Sequence, residues 1–361
     1  MIPDVTPNGV FYLPPTGWLT SFYNPPRLMN EELLKTVQKA SQGQPDWLQK
    51  KRSLAIMLQK RFPLANQQQA WLAKWQEPEL VTNDESSLLN HDGDDFVALP
   101  INMAVQKYPE LLQENLMEKA VRWQDNQLNA LHLALMDTGQ FIYVPDETKL
   151  EKPLKVGLVT RSNNPHNLII VGAGAQVTVI EESDYKTQSP LFAATEILMG
   201  TGAQVKFCQN NHYHGDLVRQ AVHSYQARGS KLEVEGVIPE NQQGYSSFYS
   251  FLDGSDAHWN VQLASMVEAH CQQEVVTQVD GYGENTSAQV NEWGWVAPNA
   301  QLKWGKLATV DDEPLELHQH RVIASNEKTV VNDQKEASHF NTPGDFFKAQ
   351  LPANSWLARL S

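Results

Sequence analysis

Two histidine pairs, His212-Tyr213-His214 and His318-Gln319-His320, have the spacing best suited to metal chemistry in this 361-residue chain. Side chains two apart on a strand share a face, so each pair could offer two imidazoles to one ion. After His214 come Asp216, Leu217 and Val218, not the glutamate and later histidine that would complete a shell. The plainer reading, surface or hydrogen-bonding histidines, comes first. Cys208 alternates with Val205 and Phe207 as a filler thiol would, and neither it nor Cys271 stands in a C-x-x-C arrangement. Asp253, Asp256 and Asp280 are the carboxylates a carbohydrate-active enzyme could use. Trp293-Gly294-Trp295 and Trp304 could stack a ligand, although aromatic packing explains them as well. No glycine-rich phosphate loop, G-x-S-x-G elbow or H-E-x-x-H occurs. No residue is therefore assigned a catalytic, cofactor-binding or metal-ligating role.

The elements that would position these residues change character along the chain. Residues 1–29 are rich in proline and aromatics and predict an extended arm. Residues 30–140 carry helix signals. Asn30 is placed to cap a first helix before Leu33, Leu34 and Val37, and Asp46 to cap a second carrying Trp47, Leu54, Leu58 and Phe62. Asn66 can open a third that stops before Pro78. Pro109 suits the first turn of a fourth, with Leu112, Leu116 and Ala120 as its stripe. A fifth spans 125–136 and ends near Gly139, a candidate left-handed cap. Between the third and fourth, the polar 79–100 reads as loop with one strand from Phe96 to Leu99.

Beyond Phe141 the period shortens to that of strands: Leu168-Ile169-Ile170-Val171 and Val177-Thr178-Val179-Ile180 are β-branched runs bounded by glycine. Gly174-Ala175-Gln176-Val177 recurs identically at 202–205. Looser copies begin at Gly229, Asp256, Ser287 and Asn299, with spacings of 28, 27, 27, 31 and 12 residues. A tight turn followed by strand alternation at such a period predicts a solenoid over 141–340, ahead of a β-sandwich with similar turns. Residues 341–361 form a C-terminal remnant.

Composition narrows the function. A formal net charge of -14 repels phosphate backbones and anionic lipid, which argues against nucleic-acid and membrane-surface partners. No run approaches a membrane span, the start lacks the signature of a secretion signal, and two cysteines make no disulfide framework. A reducing cytoplasm is the simplest home.

At the junction of the two regions, Leu128-Asn129-Ala130-Leu131-His132-Leu133-Ala134-Leu135 leads to Gly139-Gln140-Phe141-Ile142-Tyr143-Val144-Pro145 and then to Leu150-Glu151-Lys152-Pro153-Leu154. This order resembles the SufB/SufD family, in which a helix feeds a G-x-F-I-Y-V-P strand and then x-E-K-P-L. His166 to Val171, Gly174 to Glu182, Val205-Lys206-Phe207 and, upstream, Pro45-Asp46-Trp47-Leu48 resemble it as well. The likeness covers 40–235 and thins across 236–361. It implies a right-handed parallel β-helix preceded by a helical region, and a non-enzymatic, SufD-like role in iron–sulfur cluster assembly by the SUF system. It also implies a heterodimer with a SufB-like subunit through β-helix strands and a complex with a SufC-like ABC ATPase; a homodimer stays open. No cofactor is expected on this chain alone, and an iron–sulfur cluster belongs to the assembled complex.

Two departures refine this. Where SufB-type members carry a sulfur-handling cysteine before a core turn, this chain has Met199, whose thioether cannot form a persulfide. The family's C-terminal helical tail, which docks the ATPase, has no counterpart before Ser361, so weak ATPase binding is expected. The alternative from another class is a carbohydrate-active β-helix lyase or hydrolase.

Overall fold

A computed structural model describes residues 27–64, 88–187, 190–238, 243–305, 315–325, 335–336, 340 and 342–360. Two helices, α1 (Arg27–Ala40) and α2 (Asp46–Leu58), open it. α1 begins three residues before the expected cap, so Asn30 lies in its first turn. Pro45 is the cap residue of α2, and Asp46 takes the first helical position, where its charge meets the positive helix end. The helix expected from Asn66 lies outside the described residues. Strand β1 (His91–Asp92) pairs antiparallel with β2 (Val97–Pro100), the strand anticipated near Phe96, and three helices follow: α3 (Ile101–Lys107), α4 (Pro109–Asn115) and α5 (Gln127–Leu135).

α4 starts on Pro109 as the sequence predicts but stops at Asn115, short of Ala120. The cause is a competing acceptor. Past the helix the amides of Met117 and Val121 donate to the two oxygens of one buried carboxylate, Glu196, at 2.7 and 2.9 Å. Leu112, Leu116 and Ala120 stay fully buried all the same. α5 is capped by Asn126, whose side chain accepts from the Asn129 amide at 2.9 Å. Gly139 is not its cap: it stands beyond the helix at φ 144°, where a Cβ would lie 1.8 Å from the His166 carbonyl oxygen. Close passage of two backbones, not helix termination, requires glycine there.

From residue 140 the chain winds into a parallel β-helix of about 6 turns. Early coils have three sides. β3 (Gln140–Val144), β6 (His166–Val171) and β9 (Leu191–Met199) lie on the first, β4 (Leu154–Val156), β7 (Gln176–Glu181) and β10 (Gln204–Asn210) on the second, and β5 (Val159–Thr160), β8 (Asp184–Tyr185) and β11 (His212–Tyr213) on a short third. Later coils are two-sided. β12 (Leu217–Gln226), β14 (Gln243–Leu252), β16 (Gln272–Gly281) and β18 (Gln301–Trp304) continue the first sheet. β13 (Lys231–Ile238), β15 (His258–Val267), β17 (Ser287–Val296), β19 (Glu316–Ser325) and β20 (Lys335–Glu336) continue the second. Among the described residues only β1–β2 and β2–β3 pair antiparallel, and the stacked parallel coils exclude the sandwich.

The repeat has a sharper form than its sequence suggests. Gly174, Gly202, Gly229, Asp256 and Asn285 all adopt φ of 58–69°, each two residues before a strand of the second sheet. The frame read at Ser287 is displaced: Ser287 pairs with His258, so its turn residue is Asn285 and the spacing is a regular 29. Asn299 belongs to the other sheet. With His270, 29 residues earlier, it turns the chain into β18 and β16, whose Gln301 and Gln272 are in register.

Inward residues such as Val179, Phe207, Val234, Phe248, Val261 and Val290 fill one continuous core. The helical region packs a second cluster onto the outer face of the first sheet, through Phe141, Leu168, Phe192 and Leu198. A C-terminal helix, α6 (Pro343–Gln350), covers the outer face of the second sheet with Phe346 and Phe347 against Trp293 and Trp295.

Candidate functional site

The histidine pairs fall on separate surfaces. His212 begins β11 of the short third sheet and His214 follows it, where the His214 Nε2 lies 2.7 Å from Asp184. His318 and His320 are exposed on β19, with the His318 Nε2 2.9 Å from Glu316. Among the described residues, no three His, Cys, Asp or Glu side chains are placed to hold a metal ion. Cys208 is buried, and burial pushes its thiol up to about 12, so it stays protonated near neutrality and is a poor nucleophile. Cys271 packs against the edge of the interior core. Met199 ends β9 with its side chain in that same core.

The three aspartates are each engaged. Asp253 accepts from the Tyr225 hydroxyl at 2.5 Å, Asp280 from that of Tyr249, and Asp256 from the Asn285 amide at 3.3 Å. Trp293 and Trp295 belong to the cluster under α6, and Trp304 lies inside the coil with the Arg321 guanidinium 5.6 Å from its ring.

Composition and spacing missed the buried charges. Glu196 is a lone carboxylate in an otherwise neutral strand whose nine residues are all buried, and that isolation is the signal. Besides two backbone amides it takes the His166 Nε2 at 3.0 Å, and the His166 Nδ1 meets the His132 Nε2 at 3.1 Å. The carboxylate fixes the tautomers: His166 donates to Glu196 and accepts from His132. Burial, with His166 beside it, holds the His132 imidazole well below its ordinary range. Inside the coil, Glu181 accepts from Asn211 at 2.8 Å and Thr195 at 3.1 Å, while burial raises its carboxyl. Near the last coils Glu292 accepts from Thr277 at 2.7 Å and pairs with Arg321, which also donates to the Gly305 carbonyl at 2.9 Å. Each of these carboxylates has several partners, as a buried charge requires.

The surface of greatest functional interest is the end of the coil. β19 pairs with β17 from Glu316 to Ser325, whereas β20 covers only Val322 and Ile323 on its other side. Among the described residues, the outward backbone groups from Glu316 to Arg321 are left for another strand. Such an edge can take a second chain by strand addition. Arg321 anchors this edge to the buried Glu292 and so holds it in place.

Parallel coils with a helical layer on the outer face of the first sheet define a β-helix protein. Residues 157–310 match the family described as "SUF system FeS cluster assembly, SufBD core domain", and residues 82–156 match the SufBD protein N-terminal region. The chain belongs to the SufB/SufD family of iron–sulfur cluster assembly proteins. It is 21% identical over 217 residues to the iron–sulfur cluster assembly protein SufD of Bacillus subtilis, covering 58% of this chain and 50% of that protein. A chloroplastic SufBD family protein of Arabidopsis thaliana is 22% identical over 229 residues, 59% of this chain and 41% of its own length. A SufBD family protein of Staphylococcus epidermidis reaches 30% over 159 residues, 41% of this chain and 34% of that one. The chain thus spans half or less of the length of these relatives. Among the described residues, no helix is long and apolar enough to cross a membrane.

Proposed function

We propose that this chain is a SufD-like, non-enzymatic scaffold subunit in iron–sulfur cluster assembly, joined through its β-helix edge to a SufB-like subunit. The observation that carries this reading is the state of its sulfur atoms. By its resemblance to the family, Met199 falls where SufB-type members carry their sulfur-handling cysteine, and its thioether is buried in the coil. Cys208, the buried thiol of the second sheet, is held protonated. With Met199 in that place and Cys208 protonated, the chain contributes shape and not sulfur transfer, and among the described residues the open stretch of β19 supplies an edge on which a second β-helix can pair. An ATPase partner of the SufC kind is part of the same reading. Its contact would have to avoid the apolar face of α6, which is already spent on Trp293 and Trp295.

Affinity purification from the native cell under anaerobic conditions tests the assignment. A SufB-like subunit should co-purify, whereas the isolated chain should hold no stoichiometric iron–sulfur chromophore after reconstitution. A chromophore lost on Cys208→Ser or Cys271→Ser would contradict the scaffold role.

A further inference from the structure

Among the described residues, Arg219 is a buried cation without an anion. It is 7% exposed, its Nε has no hydrogen-bond partner, and among the described residues no carboxylate lies within ion-pair distance. Strand register explains why. Across the outer face of the first sheet, the residues level with Arg219 run Phe192, Arg219, Tyr245, Glu274, Lys303, one from each of β9, β12, β14, β16 and β18. The guanidinium is therefore sandwiched between two aromatic rings, 4.9 Å from the Phe192 centroid and 5.0 Å from that of Tyr245. Rings on both faces stabilise the cation but leave its N–H edge unsatisfied. The carboxylate of the ladder, Glu274, is two strands away, about 10 Å at the usual strand spacing. It is already paired with the Lys303 Nζ at 2.7 Å. His132 and His223 nearby are held below the ordinary imidazole range, chiefly by burial with Arg219 adding to it, so they bring no further charge at neutral pH.

That edge meets a cavity of about 180 Å³ between α5 and the sheet, lined by Arg219, Tyr245, Gln243, Gln272, Gln301 and Lys303. The volume is that of about six waters and lies below the roughly 300–1,000 Å³ of sites for drug-sized ligands. Lys303 and Glu274 cancel, which leaves one net positive charge for the site. A fork of parallel N–H donors in one plane matches a carboxylate, and the side-chain amides around the cavity can donate to its outer lone pairs.

We propose that this cavity is a binding site for a short monocarboxylate, held in the guanidinium plane by Arg219. The site is independent of the β19 edge and of cluster assembly. The experiment follows phenylglyoxal modification of Arg219 in the full chain by mass spectrometry, with acetate or inorganic phosphate added at matched ionic strength. Acetate should protect Arg219 saturably and phosphate should do so at least tenfold less well. By calorimetry, Arg219→Lys, which keeps the charge and loses the fork, should bind acetate at least tenfold more weakly. Should that variant fail to fold, the protection measured on the wild-type chain decides alone. Absence of protection by acetate, stronger protection by phosphate, or undiminished binding in folded Arg219→Lys would overturn the proposal.

Discussion

Single residues decide how the helical layer is fastened to the coil. Glu196 draws Met117, Val121 and His166 to one point, and His132 closes the chain of imidazoles from α5. A pH dependence follows from His132. Its folded-state pKa is depressed, by burial first and His166 second, so the unfolded chain takes up the proton more readily. The stabilisation is fully present above the ordinary histidine pKa near 6.5 and is lost as pH falls from there toward the folded value. In urea titrations the wild-type chain should lose about 1.4 kcal/mol per pH unit more than His132→Gln over that window. Equal slopes would show that His132 is charged in the folded protein. None of this network was legible from spacing, because its members come from the segment after α4 and from α5, β6 and β9 and meet only after the coil closes. The one available signal was local: Glu196 inside a run of nine buried residues.

Element types were far more legible than element ends. Proline at the first position of α4 and the Leu128, Leu131, Leu135 stripe of α5 are local signals, and both helices form where those signals fall. The end of α4 is tertiary, set by a carboxylate 79 residues from Met117. The six turn copies identified two sheets as if they were one series, because a left-handed turn residue and a small residue look alike in either. Register was needed to separate them. Residues 343–360 gave little sequence signal of docking, yet the segment is fastened by Phe346 against Trp295 and by Glu235. That buried carboxylate accepts from the Ser355 hydroxyl at 2.6 Å and the Leu357 amide at 3.1 Å. Burial alone would raise the Glu235 carboxyl, but Lys206, Ser355 and the Leu357 amide together hold it below its ordinary value. Phe346 is fully buried, and truncation of such a ring costs about 3–5 kcal/mol. Phe346→Ala should therefore accelerate hydrogen exchange across 343–360 while amides of β10 and β13 in the inner coils keep wild-type protection. Unchanged exchange in that segment would show that Glu235, not the aromatic cluster, holds it.

At the scale of the whole molecule, the parallel coil solves one problem and leaves another. Stacking in register buries a continuous apolar core and pairs nearly every strand on both sides, but a solenoid has ends. The first coil is closed by antiparallel β2 and the helices behind it. Among the described residues the last is covered only in part, since β20 meets two residues of β19. Family membership together with this edge leads to the central claim, pairing with a SufB-like β-helix. Backbone hydrogen bonds and apolar contacts would dominate such an interface, and neither is much weakened by salt that shortens the Debye length to a few ångström. The direct test is size-exclusion chromatography with light scattering on this chain mixed with a folded SufB-like subunit, at about 10 μM each and about 0.5 M salt, where charge steering is screened. A single 1:1 complex is expected, and His318→Pro and Gln319→Pro, both within the open edge, should weaken it. Two independent peaks of folded monomers would contradict it.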